Sequence, residues 1–214
     1  MRAHPVLDPG IPLSKYRYAD LSVSNPDLRE GFKDVGACQA YLDRVLQREG
    51  GAVAWGGYLE RRNLYQGFTH FNPAGATRRE YHLGLDFWAP GGTGVHAPWK
   101  GTVHSWGHLR APGDYGPVII LEHILGGSPL FALYGHLSPE SLHGLYPGKP
   151  VGAGQQLGWL GAPRDNGGYA PHLHFQLIRD LQGCKGDYPG VCASAELSLY
   201  SHNCPNPMEW LGYF

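Results

Sequence analysis

No run of apolar residues in this chain approaches the ~18 that a membrane-spanning helix needs. No cluster of Lys or Arg marks a face for nucleic acid or anionic lipid. Charged residues are sparse at 16%, and the formal net charge is only −1. The four cysteines, Cys38, Cys184, Cys192 and Cys204, include no C-x-x-C pair, which argues against a cysteine-based zinc site. Three of the four fall in the C-terminal tail, where an oxidising compartment would favour disulfides and a cytoplasm free thiols. The N-terminal stretch lacks the apolar core of a secretory signal. The expected location is therefore the cytoplasm, or the periplasm or exterior if an export signal has been removed.

What is abundant points to a β-rich globular protein. Hydrophobic residues make up 42% and aromatics 12%, against 32 Gly and 18 Pro. That mixture predicts short strands joined by many turns. A length of 214 residues suits one domain with an extension. The expected division is an N-terminal extension over 1–60, irregular apart from one helix, followed over 61–214 by a domain ending in a Gly-, Cys- and Pro-rich tail expected to be a covering loop.

Within the extension, Asn25 can cap a helix with Pro26 in its first turn. Leu28, Phe32, Val35, Leu42, Val45 and Leu46 then recur on one helical face, with Gly50-Gly51 as the stop. Further along, apolar runs over 102–106, 118–123, 130–134 and 172–178 read as strands, and the turn clusters between them read as antiparallel connections. Ser138-Pro139-Glu140 opens one short helix. Two Gly/Pro-containing phrases, Val95–Pro98 with Gly101–Val103 and Gly148–Val151, resemble the hammerhead turns of lipoyl- and biotin-carrier domains.

Twelve His is a high count, and His4, His70, His96, His143 and His202 read as scattered surface residues. Others sit in motifs. In His172-Leu173-His174, alternation on a strand puts both imidazoles on one face and Leu173 in the core. One ring can bind a metal while the other stands beside it. His82-Leu83-Gly84-Leu85-Asp86 is harder to place. In a regular strand, positions four apart lie ~13 Å from each other, too far for one ion with ligand bonds of ~2 Å. The surrounding Gly and Pro argue against a helix, so a bend at Gly84 is required to bring His82 and Asp86 together. Three ligands of the type His, Asp and His leave a zinc ion one open position, as catalytic zinc sites do. Acid–base work then falls to neighbouring imidazoles. Tyr134 and the tryptophans 88, 99, 106 and 159 read as core, Asn166-Gly167-Gly168 as a turn, and His104 and His123 as strand residues of either orientation.

The motifs H-x-G-x-D, Y-x-H-L-S and H-L-H-F, in this order, resemble those of the lysostaphin- and LytM-type zinc endopeptidases, over roughly residues 60–178. The resemblance implies a mainly β fold, an antiparallel β-sandwich or barrel-sandwich hybrid known as the duplicated hybrid motif. It implies Zn2+ held by His82, Asp86 and His174, with His136 and His172 catalytic. It also implies a peptide or peptidoglycan substrate, and latency in some relatives through an N-terminal fourth ligand, for which His4, Asp8, Asn25 and Asn63 stand as candidates. The stretch is similar as well to a metallopeptidase-like segment of certain bacterial multidomain enzymes, so an amide outside the cell wall is an alternative. Two non-enzymatic readings compete: an adaptor module and a carrier domain. The intact ligand set weighs against the first, and Lys100, which has no lipoylation or biotinylation context, against the second.

Overall fold

The computed structural model describes residues 3–28, 35–62 and 78–213. Short strands dominate: β1 (Tyr16–Tyr18), β2 (Val53–Gly56), β3 (Arg79–His82), β4 (Leu85–Trp88), β5 (Gly94–His96), β6 (Gly101–Leu109), β7 (Gly116–Leu125), β8 (Ser128–Gly135), β9 (Pro150–Val151), β10 (Gln156–Trp159), β11 (His172–Ile178) and β12 (Val191–Ala193). Among the described residues three α-helices accompany them: α1 (Val35–Glu49), α2 (Leu197–Asn203) and α3 (Pro207–Leu211). Eight strands form one open sheet in the order β1-β2-β4-β11-β8-β7-β6-β9, and β5–β10 and β3–β12 form two small ones. Among the described residues all strand pairings are antiparallel except β1 with β2, so the large sheet is mixed.

The expected mainly β fold is present, and the four expected strands correspond to β6, β7, β8 and β11. The expected short helix is a 3-10 turn over Pro139–Leu142. The N-terminal helix appears as a 3-10 turn at Pro26–Leu28 and then α1, while Phe32 lies outside the described residues. Asn25 caps that first turn, its side-chain oxygen accepting from Asp27 N. Two sequence expectations need correction. The covering tail is not loop throughout, because it holds β12, α2 and α3. Its helices escape a reading by composition because each is only five or seven residues long. Residues 16–18 and 53–56, expected as irregular extension, are strands of the main sheet.

The central strands bury both faces. On one face Leu85 and Phe87 of β4, Leu173, Phe175 and Leu177 of β11, Ala132 and Tyr134 of β8, and Ile119 and Leu121 of β7 share the largest core. The opposite face has two apolar flanks. On the N-terminal side, Cys38, Tyr41, Leu42 and Val45 of α1 pack with Trp88 and Ala170. On the other, Tyr188, Cys192 and Cys204 of the tail pack with Val118, Ile120, Leu133 and Ile178. All four cysteines are free thiols. The polar residues of β4 and β11 lie between these flanks.

Candidate metal centre

Period-two alternation sorts β11 by parity. Leu173, Phe175 and Leu177 join the core, leaving His172, His174 and Gln176 on the opposite face. Register then places His174 opposite Asp86 of β4 on one side and Gly135 of β8 on the other. His82 arrives from a different sheet. β3 pairs with β12, the chain bends over Leu83 and Gly84, and β4 enters the main sheet. Gly84 makes this approach possible through space rather than unusual dihedrals. A Cβ there would lie 2.8 Å from both the His174 ring and Phe175 O.

The result is a buried trio of donors, His82, Asp86 and His174. His82 Nε2 and His174 Nδ1 are 2.8 Å apart. Asp86 Oδ1 lies 3.2 Å from each. Donors bonded at ~2.0–2.1 Å to one tetrahedral ion stand about 3.3 Å apart, so the trio has the right scale for zinc.

The chemistry of the donor set points the same way. His82 Nδ1–H donates to Gly57 O at 2.8 Å, which leaves Nε2 as a lone pair facing the trio. His174 Nε2–H donates to Gln176 Oε1 at 2.9 Å, which does the same for Nδ1. Gln176 is itself oriented, because its Nε2 donates to Pro189 O at 3.1 Å. Two imidazole lone pairs and a carboxylate oxygen therefore converge in a buried space. That arrangement is repulsive alone and favourable around a cation. Burial and the nearby Arg62 cation push the His82 pKa down to about 4. Burial opposes the Asp86 charge, but His82 and Arg62 outweigh it and hold the carboxyl well below its ordinary range.

His136 and His172 stand beside the trio, both buried, with ring centroids 4.1 Å apart. His172 Nδ1–H donates to Ala170 O at 2.7 Å, and His136 Nδ1–H to Asn166 O at 2.7 Å. Each therefore presents Nε2 as an acceptor, and His172 Nε2 is 3.8 Å from Asp86 Oδ1. Burial lowers the pKa of both, and for His136 the adjacent His172 and His174 add to it. His136 follows β8 with φ +62°, a left-handed backbone uncommon outside glycine. It is held there by hydrogen bonds from its own N–H to Tyr115 O and from Gly161 N to its carbonyl, both 2.9 Å.

Several expectations resolve here. Tyr134 is core, packed on Phe175. His123 is buried, with Nδ1 2.9 Å from Lys100 O, and His104 contacts Ser105 and Phe131. Trp88 is buried and stacks on His172 at 5.8 Å between centroids. Trp159 is 44% exposed, against the core expectation, because it ends the short two-stranded β10–β5 sheet. Of the candidate fourth ligands, Asn25 bonds Asp20 O and Tyr41, Asp8 accepts from Gly10 N, and His4 packs against Gly154, none within the trio. Asn63 and His70 lie outside the described residues. Sequence reasoning missed Gly57, Arg62, Tyr115 and Gln176. Arg62 Nη1 donates to Asp86 Oδ2 at 2.6 Å, and the Tyr115 hydroxyl is 3.5 Å from His174 Nε2.

Residues 80–185 match the model of peptidase family M23. This segment belongs to that family. The family is zinc-dependent, and the trio fits Zn2+ as the cofactor. All five motif residues fall inside the matched segment, while Gly57, Glu60 and Arg62 precede it. Among solved structures, the catalytic domain of the antimicrobial peptidase lysostaphin from Staphylococcus simulans is 28% identical, covering 62% of this chain and 80% of that one, at a TM-score of 0.43. A putative M23 peptidase from Pseudomonas aeruginosa is 22% identical over 62% of this chain and 44% of its own, at 0.41. A zinc-containing peptidase from Vibrio cholerae is 28% identical over 50% and 29%, at 0.38. No curated protein matches the chain.

Proposed function

We propose that this M23 metallopeptidase is an active zinc endopeptidase that cuts peptide bonds in peptidoglycan, in cross-bridges or stem peptides. In this reading His82 Nε2, Asp86 Oδ1 and His174 Nδ1 hold the ion. When bound, zinc supplies Lewis acidity to a carbonyl and lowers the pKa of water toward ~7, giving a nucleophile near neutral pH. The chain's own contribution is proton handling. His136 and His172 start neutral, with Nε2 free to accept, because both Nδ1–H groups are engaged by backbone carbonyls. One would take the proton of the attacking water and pass it to the leaving amine nitrogen as the C–N bond breaks; the other, carrying a proton taken from solvent, would donate to the developing oxyanion. Neither order is favoured by the geometry. The observation that carries this reading is the convergence of five motif residues, with all four imidazole tautomers set by named acceptors.

Digestion of purified bacterial sacculi, with products read by mass, tests it. Wild-type protein is expected to release muropeptides cut at amide bonds, and a chelator to stop it. His136→Ala and His172→Ala are expected to keep one zinc per chain and to lose roughly 10²–10⁴-fold in rate, the usual contribution of positioned acid–base groups. Zinc-loaded wild-type protein that leaves sacculi intact would transfer the weight to an adaptor role or to a different amide substrate.

A further inference from the structure

Arg62 is among the least accessible side chains of the molecule, 1% exposed, and it precedes the family-matched segment. Its guanidinium is a hub. Nη1 donates to Asp86 Oδ2 at 2.6 Å, and Nε to Glu60 Oε2 at 2.5 Å. The group lies over Trp88 at 5.7 Å from the ring centre, and Trp88 in turn stacks on His172. Glu60 is tied further outward, its Oε1 accepting from Leu21 N at 3.1 Å. A chain of contacts thus runs from the N-terminal segment through Glu60 and Arg62 to a carboxylate of the metal site.

The turn after β2 completes the arrangement. Gly56 is the register partner of Asp86, and Gly57 follows at φ +102°, in the left-handed region where glycine is favoured. The Gly57 carbonyl accepts from His82 Nδ1, and a Cβ on Gly57 would overlap Arg62 Nη2. The same short turn therefore orients His82 by a carbonyl and seats the guanidinium that holds Asp86. A buried cation this close to a site for a divalent cation is unfavourable unless it does something for the ligand. Here it occupies the second carboxylate oxygen.

We infer that Arg62 is a positioning residue of the metal site: by engaging Asp86 Oδ2 it makes the carboxylate a one-oxygen ligand, and with the Gly57 turn it fixes two of the three donors. This rests on the reading that His82, Asp86 and His174 hold the ion. A carboxylate held in this way keeps Oδ1 aimed at the ion and leaves a coordination position open. Without the guanidinium, Oδ2 is free to swing in as a fifth donor.

Two measurements on the full chain test this: zinc affinity by competition with a chromophoric chelator, and the visible spectrum of the cobalt(II)-substituted protein. Arg62→Met is expected to bind zinc roughly 10–100-fold more weakly, the usual effect of losing a group that supports a ligand. Its cobalt bands should weaken and shift as four-coordination gives way to five. Arg62→Lys, which keeps the charge but not the two-pronged geometry, should fall between, and it carries the test if Arg62→Met does not fold. Arg61→Met, at an exposed neighbour paired with Glu80, should match wild type. Affinity and spectrum unchanged in the Arg62 variants, or weakened binding with a wild-type spectrum, would overturn the inference while leaving the site reading intact. Failure of wild-type protein to take up one equivalent of metal would sink the site reading itself.

Discussion

At the scale of single residues, Gly84 shows how little room the His82, Asp86 and His174 cluster has. Its φ is unexceptional, yet a methyl group there would meet the His174 ring and the Phe175 carbonyl, both at 2.8 Å. Gly84→Ala should therefore push His174 off its donor position and weaken zinc binding by about tenfold, with a stability loss of ~1–3 kcal/mol from overpacking. Chelator competition and thermal melting read the two effects separately, and unchanged affinity would contradict the steric account. This residue was legible in the sequence because His82 and Asp86 cannot share an ion across a straight strand. Arg62 and Gln176 were not. A charged side chain buried in a metal site looks, in a sequence, like any of the chain's other Arg, and a glutamine following H-L-H-F carries no sign of what its amide faces.

At the scale of elements, His82 belongs to β3, paired with β12 of the tail, while Asp86 and His174 belong to the main sheet. An ion bound by all three ties the small sheet to the large one. Chelation should accordingly raise amide hydrogen exchange in β3 and β12 more than in β7 and β8, whose strands pair along seven residues without the ion. Equal change in both regions would argue against such a tie. Strands β6, β7, β8 and β11 could be read from apolar runs bounded by Gly-rich turns. β1 and β2 could not, because their three or four residues find partners only through a sheet assembled from distant sequence. The tail helices were hidden likewise by brevity and by the Gly and Pro around them.

At the scale of the molecule, burying imidazoles in neutral form sets the response to acid. His82, His123, His136 and His172 all have lowered pKa values in the fold, with burial the first cause. Below the unfolded value of ~6.5 the unfolded chain binds more protons than the native one, so stability falls as pH falls. With His82 at about 4 when folded, that residue alone removes about 2 kcal/mol between neutral pH and pH 5. Melting of metal-free protein should drop by about 4–8 °C over that interval from His82 alone, and further from the other three. A flat profile would mean that these rings are not buried as neutral groups. Proton uptake at folded His82 competes with the ion only as pH approaches about 4, so zinc should be released below the range in which the metal-free fold weakens.

The parity of β11 has one more consequence. Slipping this strand by a single residue would exchange its two sides, thrusting Phe175 toward the donor cluster and imidazoles into the hydrocarbon interior. Such a misthreaded chain would be blind to zinc as well as poorly packed. Metal uptake during refolding therefore counts correctly registered molecules, and the fraction that captures an ion measures the fidelity of β-sheet assembly.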